Sequence, residues 1–115
     1  MELRDYAAHD GVGIAELVRA GQVSVEEVDD AARRAIESVE PQLHATVGDL
    51  SDAPLAGDGT APLRGVPTAM KEVAPHLAGQ RTQLGSRIAG EGVVSGADTH
   101  FGARLRASAR LRASA

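Results

Sequence analysis

The chain has 115 residues, the length of one small domain, and 43% of them are hydrophobic. Alanine accounts for 21 and Leu, Ile, Val and Phe for only 25, while the rings of Tyr6 and Phe101 are too few for a platform that stacks nucleic-acid bases. There is no cysteine, which excludes disulfides, thiolate metal sites and a cysteine nucleophile, and the net charge of −4 divides into −9 over residues 1–60 and +5 over residues 61–115.

No apolar run is long enough to span a bilayer and no basic start precedes an apolar stretch, so the chain reads as soluble and cytoplasmic, without a membrane or nucleic-acid partner. Solvated arginines account for the basic surplus of the second half. From Asp10 to Ala20, Ile14, Leu17 and Val18 recur at helical spacing, with Asp10 as N-cap and Gly21 as stop. Ser24 and Glu27 then form a capping box. Behind it, Val25, Val28, Ala32, Ala35, Ile36 and Val39 line one face of a second helix, which Pro41 is expected to end. Leu43, Ala45 and Val47 alternate with His44 and Thr46, as in a half-buried strand.

Residues 48–61 are rich in Gly, Asp, Ala and Pro without periodicity and read as a linker. A second short strand is expected over Gly65–Lys71, an irregular glycine-rich loop over 78–96, and a last helix capped by Asp98 with Phe101 and Leu105 facing inward. The fold class is therefore α/β: two helices within about residues 10–40, two short strands and a last helix, with residues 62–108 forming a unit around Lys71. The end of the sequence, 104–115, is a tandem copy of Arg-Leu-Arg-Ala-Ser-Ala. Its period of six turns Leu105 and Leu111 about 120° apart on a helix, so the copy does not extend an apolar face. It reads as a duplication or frame accident.

His9, His44, His76 and His100 have no partner at ligand spacing, and no metal or cofactor is expected. Lys71 stands out as the sole lysine beside eleven arginines. A guanidinium does not give up its proton at working pH, whereas a partly buried ammonium does, so lysine suits a base. A surface ion pair with Glu72 is the plainer alternative.

The segment Pro62-Leu63-Arg64-Gly65-Val66-Pro67-Thr68-Ala69-Met70-Lys71-Glu72 resembles the stretch P-L-x-G-V-P-x-x-x-K-D that carries the catalytic lysine of amidase-signature enzymes. Gly79–Arg87 is similar to that family's G-x-x-T-x-x-G-S-R run, Asp98–Arg106 to its D-x-x-x-x-x-R-L-R helix, and Ala15–Ser24 and Pro41–Ala45 to its opening helix pair and N-P-x-L-N-A turn. Glu72 stands for the usual Asp and His44 for the usual Asn. The resemblance implies the N-terminal part of the amidase-signature α/β/α fold and hydrolysis of a small-molecule amide by a Ser–cis-Ser–Lys mechanism. In it, the lysine, Lys71 here, takes a proton relayed through the cis-peptide serine. Neither the Gly/Ser-rich segment of that family nor its two triad serines occurs in the sequence, so the chain by itself is expected to be inactive. Ser86 matches a different family position and suits a turn better than a substitute nucleophile. The other readings are a non-catalytic remnant that binds a partner through its first two helices, and the amidotransferase-type subunit that acts on charged tRNA.

Overall fold

The structure is a computed structural model and describes residues 1–47, 60–73 and 75–108. The described residues form four helices and one two-stranded antiparallel sheet, a small mixed helix and strand arrangement. Residues 48–59 of the linker and the second copy of the terminal repeat lie outside them.

A short helix that the sequence pattern did not announce, α1 (Leu3–Ala7), comes first. It lies against α3 and brings Tyr6 onto the first core cluster, where burial pushes the Tyr6 phenol above its ordinary pKa. Helix α2 (Gly11–Arg19) starts as expected, with the Asp10 carboxylate accepting the Gly13 N–H at 2.8 Å. Helix α3 (Val25–Leu43) opens on the capping box: Glu27 N–H donates to Ser24 Oγ at 3.1 Å, and Ser24 N–H to the Glu27 carboxylate at 2.8 Å. Ile14, Ala15 and Val18 of α2 and Val28, Ala31 and Ala32 of α3 are buried, with Val28 wholly inaccessible. Ion pairs Asp29–Arg33 and Asp30–Arg34, each one turn apart, line the outer side of α3.

Pro41 does not end α3; it sits in the last turn, which runs on to Leu43. A proline so close to the C-terminus removes only the N–H aimed at the Glu37 carbonyl. His44, in the left-handed conformation at φ 46°, closes the helix by donating its N–H to the Glu40 carbonyl at 2.9 Å. The strand expected over 43–47 is consequently not formed: Leu43 is helical and 64% exposed, and residues 44–47 are irregular.

Two hydrogen-bonded turns, Arg64 N–H to Ala61 O and Val66 N–H to Leu63 O, lead into the lysine segment. Gly65, at φ 81°, is required there, since a Cβ would lie 3.1 Å from both Val18 and Val25. Val66 joins the helical cluster, and Arg19 donates to the Pro62 carbonyl, so the turn is fastened to the end of α2. The strand expected over Gly65–Lys71 is absent because no described neighbour pairs with it.

In place of an irregular loop, residues 78–96 form a hairpin. Strand β1 (Arg81–Thr82) pairs with β2 (Val93–Val94), Arg81 facing Val94 and Thr82 facing Val93. The pairing extends through Gly79 N–H to Ser95 O and Ser95 N–H to Gln80 O. A 3₁₀ turn at Arg87–Ala89 lies in the connection. Helix α4 (His100–Ser108) begins at Thr99, whose hydroxyl takes the Gly102 N–H at 3.2 Å. Asp98 is not its cap. Its carboxylate accepts the Ala78 N–H at 2.7 Å and two bonds from Arg106 at 2.9 and 3.0 Å, clamping α4 to the segment before the hairpin. Leu105 packs inward with Leu63 on the second core cluster, Met70 and Leu77, whereas Phe101 is 59% exposed, contrary to expectation. Among the described residues no helix is long and apolar enough to cross a membrane.

Candidate active site

Lys71 follows Met70, which is buried in the second cluster, and stands exposed at the end of the lysine segment. The partial burial expected for it is not found: Val66 and Met70 turn into the two core clusters, while Ala69 and Lys71 itself are exposed. The ion pair with Glu72 is not formed either. Glu72 is turned away, its Oε1 accepting the backbone N–H of Gln83 at 2.8 Å. Among the described residues Lys71 takes no hydrogen bond or ion pair. The Glu72 bond ties the residue after the lysine to the start of the hairpin connection, immediately beyond Thr82.

Ser86 serves a turn. Its Oγ accepts the Ile88 N–H at 3.2 Å and caps the 3₁₀ segment, and no bond joins it to Lys71. Among the described residues no group of three or more His, Asp or Glu side chains could hold a metal ion, and all described peptide bonds are trans.

Beside the hairpin lies a cleft of about 240 Å³, lined by His76, Thr82, Leu84, Ala89, Val93 and Ser95. His76 and Thr82 are paired, Nδ1 to Oγ1 at 3.3 Å. The His76 backbone is held twice over, its carbonyl accepting the Thr99 N–H at 2.9 Å and its own N–H donating to the Thr99 hydroxyl at 3.3 Å. Helix α4 approaches this segment so closely that a Cβ on Gly102 would lie 2.6 Å from the His76 carbonyl oxygen. The Asp98 clamp fixes the same junction, and its hydrogen bonds from Arg106 and from the Ala78 backbone hold the Asp98 carboxyl below the usual carboxylate range. Neither the His76–Thr82 pair nor the Asp98–Arg106 clamp was legible in the sequence. His76 and Thr82 meet because the chain turns between them at Gly79, φ 82°, and Asp98 meets Arg106 across two turns of α4, a pairing that depends on Asp98 standing just ahead of the helix and not capping it.

No family model matches the chain, and no solved structure matches it significantly. Over 28 residues it is 61% identical to an aryl acylamidase of Nocardia globerula, a stretch that covers 24% of this chain and 100% of that sequence. At the level of that short match, the chain is similar to an amidase-type hydrolase.

Proposed function

We propose that the chain carries the lysine base of an amide hydrolase, with Lys71 as that base. The observation that carries this reading is the resemblance of Pro62–Glu72 to the amidase lysine stretch, and the Lys71 ammonium stands accessible there, without an ion pair among the described residues. The short similarity to an aryl acylamidase supports the reaction class and makes aryl amides the first substrates to test.

In the proposed reaction a neutral Lys71 accepts, through a second serine, the proton of a nucleophilic serine. The serine oxygen attacks the amide carbonyl, and the carbon–nitrogen bond breaks as the amine takes the proton back. Water then attacks the acyl ester, giving a proton to the same base, and the ester bond breaks as the serine oxygen takes that proton back. Both serines come from polypeptide outside the 115 residues, and the 115-residue chain alone is expected not to turn over. The test joins this chain to the serine-bearing portion of an amidase and follows release of a chromogenic arylamine. Lys71→Ala is expected to lower kcat/KM by about 10²–10⁴, the usual worth of a positioned base. Undiminished turnover in Lys71→Ala would remove the lysine from the reaction.

A further inference from the structure

We propose that the cleft beside the hairpin is a binding site for a monocyclic aromatic group attached to an amide, the aryl side of the substrate. The proposal rests on the amide-hydrolase reading and deepens it.

A cavity of roughly 150 Å³ lined by apolar side chains accepts benzene, and the cleft measures about 240 Å³, room for one ring and a short substituent. Leu84, Ala89 and Val93 supply an apolar wall, and burying a ring against such a wall is favourable in proportion to the area removed from water.

The polar side selects the substituent. In a neutral imidazole one ring nitrogen donates and the other accepts. If Thr82 O–H donates to His76 Nδ1, then Nε2–H remains a donor and the Thr82 oxygen an acceptor. If Nδ1–H donates to Thr82 Oγ1, the Thr82 hydroxyl becomes the donor and Nε2 the acceptor. Among the described residues the two side chains have no hydrogen-bond partner but each other. In either tautomer the pair therefore offers one donor and one acceptor, matching the C=O and N–H of a secondary amide. A hydrocarbon ring would leave both unanswered, and a carboxylate would find only half of what it needs. The Glu72–Gln83 bond ties the residue after Lys71 to the residue after Thr82.

The experiment titrates the ¹⁵N-labelled 115-residue chain with acetanilide, acetamide and toluene and reads backbone amide shifts. Acetanilide is expected to shift Thr82, Ala89, Val93 and Ser95 saturably, with acetamide and toluene each at least tenfold weaker. Thr82→Val keeps the shape and removes the hydroxyl, and is expected to weaken acetanilide about tenfold, the worth of one hydrogen bond, while leaving toluene unchanged. Ala89→Leu fills the cleft and is expected to abolish saturation by both. A dispersed spectrum without saturable shifts, a spectrum without dispersion, acetamide equal to acetanilide, or full affinity in both variants would each overturn the proposal. Binding is read without turnover, so such a failure removes the ring site and leaves the Lys71 assignment to be judged by rates.

Discussion

Gly102→Ala tests the packing that builds the cleft, because two opposed effects predict opposite signs. In a helix interior alanine is favoured over glycine by about 1 kcal/mol, so propensity alone stabilises the variant. The added Cβ, however, would sit 2.6 Å from the His76 carbonyl oxygen, 3.0 Å from Leu77 Cδ2 and 3.3 Å from Thr99 Oγ1. The first of these is backbone, already engaged by the Thr99 N–H, and cannot swing aside as a side-chain tip does. Overpacking of this kind costs about 1–3 kcal/mol, and a backbone clash belongs toward the upper end. The net expectation is a loss of about 1–2 kcal/mol, a fall of about 0.5–1 M in the urea midpoint with the slope unchanged. The Thr99 and His76 amides should shift together as α4 is pushed off. An Ala103→Gly control, at an exposed position of the same helix, should lose about 1 kcal/mol by propensity without moving His76. A Gly102→Ala midpoint above the parent's would mean that α4 does not dock on His76, and the shape of the cleft would fall with it.

Val28→Ala removes two methyl groups from the one wholly buried large side chain of the helical cluster, and is expected to lose about 2–3 kcal/mol by urea denaturation, from transfer plus cavity. Ser24→Ala breaks one half of the capping box and should lose about 1 kcal/mol, with faster hydrogen exchange at Glu27, whose N–H it leaves unpartnered. The Asp98 clamp makes a pH-dependent contribution of known sign. Its carboxyl is held below the ordinary value of about 3.9, chiefly by Arg106 and then by the Ala78 N–H, so the clamp's contribution is complete above the unfolded value and disappears as pH falls through the lowered folded value. The stability gap between the parent and Asp98→Asn should therefore be constant at neutral pH and close below about pH 4; a gap that persists unchanged in acid would show that the charge is not involved.

What the sequence revealed was local. Asp10 and Ser24 with Glu27 marked two helix starts because a cap bonds within three residues of itself. Other signals were outweighed by their surroundings. The residue before a proline is expected to leave the helix, yet at Pro41 one missing donor near the end costs less than abandoning the Glu40–His44 and Glu40–Thr46 bonds. Alternation over Leu43–Val47 looked like a strand, but five residues without a pairing partner have nowhere to place their backbone bonds. The hairpin at 81–94 was hidden by its glycines: Gly92, at φ 76° with the Thr82 carbonyl 2.5 Å from where a Cβ would be, is the residue that permits the pairing that glycine-richness seemed to deny. Phe101 is 59% exposed although it stands one turn before the inward Leu105, because α4 docks through Gly102, which lies against the His76 carbonyl. Lys71 could be singled out by composition and by its resemblance to a catalytic stretch, while its exposure and the turning of Glu72 to Gln83 could not, since both depend on contacts eleven residues away.

The role proposed for Lys71 depends on a proton it can release, and charge-preserving substitution isolates that proton. In the joined polypeptide that supplies the serines, kcat/KM on an aryl amide is measured for the parent, Lys71→Ala and Lys71→Arg. A base requires that arginine, which keeps the charge but not a removable proton, fail about as badly as alanine, both falling by about 10²–10⁴. Retention of most of the parent rate by Lys71→Arg would contradict the account and leave Lys71 as an electrostatic contact only.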